Sequence, residues 1–298
     1  MRRRMYYIGR FLPAFIIIIV FITIVGSRLS ATLYYCLNNA LLLLPAVLGC
    51  CLVRLCGEID FSCGGQFVCS YLLFRWLYGS LGVPVAIAAV IVLLTALLIG
   101  STYGMLHSRA GINYLLMTLI GQTVFISFSA FLMKATISNI KGLESYATII
   151  VYTDLFIGIC CLLFLTKTAV GRSVSVLSTI NEPLPFELMD TGYVKTVVSC
   201  MAAVLFSISG ILLFLKVGAT ASSFSPNYHS YRIIIAAGIC GYGAGRKGLA
   251  PISAIAGSIV CFMVEFILQH YNWDLSLFTV ICGATLIVSE AIKNNRHA

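Results

Sequence analysis

The sequence predicts an all-α polytopic membrane protein, and three observations carry that expectation. The 298-residue chain is 60% hydrophobic, with a mean hydropathy of +1.01. Only 10% of its residues are charged. Apolar runs recur along its whole length, and a membrane-crossing helix needs about 20 mainly apolar residues. A transmembrane barrel would instead show short segments of alternating polarity. No long hydrophilic stretch divides the pattern, so residues 1–298 read as a single transmembrane domain.

Ten spans can be drawn from the apolar periodicity, at about 11–27, 35–56, 61–79, 83–106, 112–133, 148–166, 194–215, 231–246, 249–268 and 273–292. The first opens at Phe11, behind Arg2, Arg3, Arg4 and Arg10. No small-x-small cleavage site follows it, so it is expected to remain as a span rather than be removed as a signal. The second and third flank a polar interruption at 57–65. The eighth is short and glycine-rich, which predicts a half-helix around 236–248.

With the N-terminus inside, the cytosolic side holds Arg2, Arg3, Arg4, Arg10, Arg54, Arg109, Lys167, Arg172, Lys195, Arg246, Lys247, Lys293 and Arg296. That asymmetry among the 19 Lys and Arg residues places both termini in the cytosol. The formal net charge of +9 then reflects orientation in a bilayer and not a nucleic-acid partner. Most of the 12 cysteines lie in apolar runs, Cys50, Cys51, Cys160, Cys161, Cys200, Cys261 and Cys282 among them. They lack paired metal-ligand spacing and are expected to pack as small hydrophobes.

The candidate functional residues begin with Gly57-Glu58-Ile59-Asp60-Phe61-Ser62-Cys63-Gly64-Gly65. Two carboxylates stand there between apolar runs, where an unpaired charge at the bilayer centre costs about 2.5–3.5 kcal/mol. The glycines predict an interrupted helix, and such breaks survive in a membrane only where protein or a pathway covers them. We expect Glu58, Asp60 and Ser62 to cap or brace the break, with Asp60 accepting bonds from half-helix amides. Bracing outweighs direct solute contact for Asp60.

A second glycine cluster spans Ala236–Gly248 and contains Gly241, Gly243 and Gly245. Close helix packing is its plainer explanation. Glycine-interrupted segments in both halves of the chain point to a midplane site between repeats. The longest polar interval, about 167–193, is expected in the cytosol. In it Pro183 and Pro185 could start a short helix with an apolar face of Leu184, Phe186, Leu188 and Met189. Such a helix would lie on the membrane or dock on a partner, and a solvated connector is the equal alternative.

Weaker expectations concern single residues. Gln122, Ser127 and Ser129 are candidates for a pathway lining, although hydroxyls in spans more often bond their own helix backbone. His107 is expected in a solvated loop beside Arg109. Glu265 is expected to find a partner across helices. Tyr228, His229 and Tyr231 are expected outside, where a binding protein could dock. No P-loop, nucleophile elbow or HExxH motif occurs in the sequence, so a catalytic reading is weak.

The run Gly57-Glu58-Ile59-Asp60-Phe61-Ser62-Cys63-Gly64 resembles the Gly-Gly-Ile-Asp-Leu-Ser-Val-Gly signature of monosaccharide-type ABC importer permeases. Lys167-Thr168-Ala169-Val170-Gly171-Arg172 is similar to that family's Lys-Thr-x-x-Gly-Arg, and Gly241–Gly248 is similar to its Gly-Gly-x-x-x-x-Gly-Gly-Arg-Gly segment. Order and spacing agree over nearly the whole chain. Glu58 departs from the signature by replacing its second glycine. Asn181 and Gly192 lie further apart than the family's coupling-loop pattern allows.

The resemblance implies a subunit of the bacterial cytoplasmic (inner) membrane that passes a pentose, hexose or related sugar inward by alternating access. It implies a second permease subunit, identical or not, an extracytoplasmic sugar-binding protein, and cytosolic ATPases that hold the ATP and Mg. The chain itself is then expected to be no enzyme and to bind no cofactor. Arg172, Glu182, Phe186, Glu187 and Leu188 become candidates for ATPase coupling. A branched-chain amino acid or nucleoside permease of the same superfamily would share the fold. An ATP-independent carrier would use Glu58 and Asp60 as proton or ion sites.

Overall fold

The computed structural model describes residues 2–26, 29–135, 147–177, 190–218, 226–239, 250–274, 276–281 and 283–284. Among them every regular element is helical. In chain order these are α1 (Arg2–Val25), α2 (Leu29–Leu55), α3 (Cys63–Arg75), α4 (Val85–Ala110), α5 (Tyr114–Ala135), α6 (Ala147–Lys167), α7 (Ala169–Leu177), α8 (Thr191–Val217), α9 (Pro226–Ile239) and α10 (Ala250–His270). A π-helical turn, Trp76–Ser80, extends α3. Residues 276–281 and 283–284 are helical as well.

Local chemistry sets several of these boundaries. The Asn113 side chain accepts the Leu115 amide at 2.9 Å and starts α5. Asp190 accepts the Tyr193 amide at 3.1 Å and starts α8. Thr168 accepts the Gly171 amide at 2.9 Å and starts α7. Each satisfies an amide that a helix N-terminus leaves without a partner.

Five helical stretches are long and apolar enough to cross a membrane: Leu29–Leu55, Val85–Ala110, Tyr114–Lys134, Ile150–Lys167 and Thr191–Val217. They differ in what they face. In the most apolar part of α2, 78% of residues are buried, and 67% in α8, against 22% in α4 and 28% in α6. The inner pair is covered by protein. The outer helices turn Ile87, Val90, Leu94, Leu97 and Leu98 of α4, and Leu155, Phe156 and Ile159 of α6, away from it. Contiguous apolar surface of that extent is rare on a soluble monomer and natural against lipid tails.

α8 is the centre of the bundle, with α2, α3 and α4 packed on it. The α4 contact is close because it is built on glycine. A Cβ at Gly100 would stand 2.6 Å from the Cys200 Cα, and one at Gly104 2.5 Å from the Thr196 Cα. Small residues let backbones approach where lipid offers no hydrophobic drive to association. Pro45 interrupts the hydrogen bonding of α2, and the Ser209 hydroxyl of α8 accepts the neighbouring Ala46 amide at 2.9 Å. A hydroxyl from an adjacent helix is one way that a proline is tolerated in a span.

The structure departs from the expected spans at three places. α2 has 27 residues, about 40 Å of helix, so it is long enough to cross a membrane whole and is longer than a half-helix beside the break. α9 is short, 14 residues, and its described part reaches Ile239, inside the second glycine cluster. The nine-residue α7 occupies the polar interval, where no helix was expected at that position. Its Val170 and Val174 lie four apart, and Val174 is fully buried while Arg172 is exposed. A face of only two or three valines is too brief to stand out against the long runs on either side.

Candidate functional site

The joint between α2 and α3 is built from backbone up. The Gly57 amide bonds the Arg54 carbonyl at 3.0 Å and the Glu58 amide bonds the Val53 carbonyl at 3.3 Å. That pair of bonds is a Schellman C-cap, and it needs Gly57 in the left-handed region, at φ +83°. The chain then passes without regular structure through Glu58, Ile59 and Asp60 and turns into α3.

Asp60 is buried, at 2% exposure. Its Oδ1 accepts the Ser62 amide at 2.7 Å and the Ser62 hydroxyl at 2.6 Å. The carboxylate therefore shapes the turn by which α3 begins. Ser62 in turn accepts from Gln66 Nε2 at 2.8 Å, one helical turn on.

The first turn of α3 is closed by its neighbours. The Gly64 amide donates to the Ser230 hydroxyl of α9 at 3.1 Å, and the Gly65 amide to Gln122 Oε1 of α5 at 3.0 Å. Gln122 is held by its own donation to Asn227 at 3.0 Å. The Phe61 amide donates to Thr118 at 3.3 Å. Glycine is required for this approach, because a Cβ at Gly64 would land on the Ser230 amide and one at Gly65 on the Gln122 side chain. Gln122 is eight residues into α5, about 12 Å along its axis. α3 thus starts inside the bundle, while α2 ends near the tips of α4 and α8.

Glu58 marks that outer end. Its Oε1 lies 2.8 Å from Lys195 Nζ of α8 and 3.2 Å from His107 Nε2 of α4. All three side chains are partly exposed. The His107 ring meets Tyr114 of α5 edge-on, with centroids 5.4 Å apart. The Tyr114 hydroxyl accepts from Ser199 of α8 at 3.1 Å. Further along α3, Ser70 and Ser207 of α8 are 2.6 Å apart, and the Tyr71 hydroxyl donates to the Gly218 carbonyl at 2.6 Å. One polar seam therefore follows α3 and α8 through an otherwise apolar bundle.

A second charged contact lies between α9 and α10. Arg232 Nη2 donates to Glu265 Oε2 at 2.7 Å, Nε stands 2.7 Å from Oε1, and Tyr228 donates to Oε1 at 2.8 Å. The guanidinium carbon is 4.0 Å from the centroid of Phe262, a cation–π placement. Asp154 of α6 differs. It is 2% exposed, and neither carboxyl oxygen has a hydrogen-bond partner among the described residues. Among the described residues, no group of three or more His, Cys, Asp or Glu side chains could hold a metal ion.

The expected residues fall into three groups. Gly57, Glu58, Asp60, Ser62 and Gly64 come together in the joint, and Gln122 is added to it as a structural partner. Arg172 stands apart on α7 and is exposed. Glu182, Phe186, Glu187, Leu188, Gly241, Gly243 and Gly245 lie outside the described residues. Ser127 bonds the Thr123 carbonyl of its own helix at 3.0 Å, and Ser129 is buried.

Three expectations are corrected. His107 is no solvated loop residue, because α4 carries it against Lys195 and Glu58. Tyr228 is tied to Glu265 rather than free outside. His229 is buried against the Phe67 ring, at 5.0 Å between centroids, whereas Tyr231 is exposed. Glu265 does have a partner across helices, Arg232. Sequence reading missed Lys195, Tyr114, Asn227 and Ser230. The opposite charges of Arg232 and Glu265 inside adjacent apolar runs were a usable signal for that pair.

No family model, curated protein or solved structure matches the chain.

Proposed function

We propose that the chain is the membrane-spanning permease subunit of an ATP-binding-cassette importer for a monosaccharide. The observation that carries this is the α2–α3 joint. A carboxylate and a glycine-led helix start are lodged in an apolar bundle, at the chain position where the sequence resembles the sugar-permease signature. Deep polar backbone of this kind is tolerated where protein covers it or a pathway runs beside it. The seam of Asp60, Ser62, Gln66, Ser70, Ser199 and Ser207 offers hydroxyl and amide groups, which suits a neutral, hydroxylated solute.

In this reading ten spans cross the inner membrane with both termini in the cytosol. The interval 167–193 contacts a cytosolic ATPase, which binds ATP and Mg. An extracytoplasmic protein delivers the sugar, and a second permease subunit completes the route. Such a device moves between inward and outward access only as far as its partners bind the two states differently.

The test is co-purification with candidate ATPases in nanodiscs, comparing wild type with Phe186→Asp. Stable assembly that the variant loses, with membrane insertion intact, supports the reading. Sugar uptake that proceeds in vesicles without any cassette protein overturns it. One observation favours the rival reading, an ATP-independent carrier: Asp154 is a buried acid with no hydrogen-bond partner among the described residues, and an ionisable group at membrane depth is a natural ion or proton site. Proton-driven uptake abolished by Asp154→Asn would establish that rival.

A further inference from the structure

Two potential cations compete for one carboxylate at the outer end of the α2–α3 joint. Lys195 Nζ is 2.8 Å from Glu58 Oε1, His107 Nε2 is 3.2 Å from the same oxygen, and the two nitrogens are 3.1 Å from each other. The far side of the imidazole is already committed. Nδ1 lies 2.8 Å from the Ile112 carbonyl, which can only accept, so Nδ1 carries a hydrogen. Nε2 is therefore the nitrogen that gains or loses a proton.

The two protonation states want different neighbours. When the ring is neutral, the Nε2 lone pair accepts from the Lys195 ammonium, and Lys195 bridges His107 and Glu58. When the ring is charged, Nε2–H can only donate. Its nearest acceptor is Glu58 Oε1, and Lys195 then faces a like charge 3.1 Å away. Histidine is the side chain whose ordinary titration lies closest to neutral pH.

We propose that His107, Glu58 and Lys195 form a proton-binding site at the α2–α3 joint, in which a proton taken up on His107 Nε2 transfers the Glu58 carboxylate from Lys195 to His107. The groups facing the imidazole are Glu58 from the joint, Lys195 from α8 and Tyr114 from α5, with Arg109 in the same last turn of α4. The relative exposures of the three side chains are 16% for His107, 23% for Glu58 and 27% for Lys195, so the site lies at the surface of the bundle and not in its core. The exchange loosens the start of α8 from the joint and ties the end of α4 to it. Its effect on solute passage rests on the permease reading; the proton site does not.

The experiment is a pH titration, from about 5 to 8, of the full chain labelled with ¹⁵N-histidine in lipid nanodiscs. His107→Gln assigns the signal. Nε2 is expected to titrate while Nδ1 stays protonated. Glu58→Gln should lower the His107 midpoint and Lys195→Gln should raise it, each by about one pH unit, because each removes one charge within contact distance. Lys195→Arg should stay close to wild type. The His229 and His270 signals report whether each variant is folded, and Glu58→Asp and Lys195→Arg replace a variant that is not. A midpoint that ignores both charge removals, or titration at Nδ1, overturns the proposal. No ATPase or solute is used, so failure here leaves the permease reading standing, and loss of that reading leaves this site standing.

Discussion

If Asp60 holds the joint together, removing its carboxylate should open α3 at its first turn. The structure gives the size of the effect. Asp60 Oδ1 accepts two bonds, from the Ser62 amide at 2.7 Å and the Ser62 hydroxyl at 2.6 Å, in a buried setting. A hydrogen bond to a charged group contributes about 1.5–3 kcal/mol. Both bonds share one oxygen and one partner residue, so their sum is not additive. We take about 3 kcal/mol for Asp60→Ala. Asp60→Asn keeps a carbonyl acceptor of roughly half the strength and should lose about 1.5 kcal/mol. Amide hydrogen exchange in nanodiscs reads the local opening directly. At about 1.4 kcal/mol per factor of ten, Ser62 protection should fall about 100-fold in the alanine variant and about tenfold in the asparagine variant. Unchanged protection at Ser62 in Asp60→Ala would refute the bracing role. Under the permease proposal, an Asp60→Asn variant that leaves the joint protected yet abolishes uptake would show that the carboxylate touches solute, and the weighting of bracing over contact would be wrong.

Two other substitutions test the packing around the joint. Gly64→Ala places a methyl on the Ser230 amide and 2.5 Å from the Pro226 carbonyl, both backbone atoms of α9 that cannot swing aside. Overpacking of this kind costs about 1–3 kcal/mol, so the denaturation midpoint in mixed micelles should fall, and Ser230→Ala should not restore it. Gly158→Ala on α6, with nothing within 4 Å of the added carbon, is the matched control and should be nearly neutral. For the α9–α10 contact, Glu265→Ala leaves the half-buried Arg232 without its carboxylate and should cost about 3 kcal/mol, whereas the double change Arg232→Met with Glu265→Leu should recover most of the loss. A double change that costs as much as the sum of Arg232→Met and Glu265→Leu made singly would show that the pair contributes no coupling.

Legibility in the sequence followed the range of the interaction. α4, α5, α6 and α8 lie within a few residues of the drawn spans, because each is a long apolar run with a terminal cap such as Asn113 or Asp190. The position of the joint was legible for the same local reason: Gly57, Asp60 and Ser62 make their bonds within a few residues of one another. Its partners were not legible. Gln122, Asn227, Ser230 and Lys195 come from three other helices, and no local pattern reveals that Gln122 accepts the Gly65 amide across 57 positions. His107 was misplaced for a related reason. Its neighbour Arg109 suggested a solvated loop, yet the charge that decides its setting, Glu58, is 49 positions away in the chain.

The placement of bonds constrains how such a joint can move. Asp60 and the Gly64 and Gly65 amides are buried and already paired, so opening α3 at its start would leave several polar groups without partners. In an apolar surrounding each such loss is costly. The Glu58 end is different, because its carboxylate has two donors within reach and all three side chains are partly exposed. A shift there exchanges one partner for another and leaves no polar group stranded. Easy motion therefore belongs to the Glu58 end, with the Asp60 end as its fixed pivot. Gly57, whose left-handed backbone ends α2, sits between α2 and that contact. Replacing Glu58 by glycine would keep the Asp60 bonds and remove the contact with Lys195 and His107, which separates the two ends of the joint experimentally.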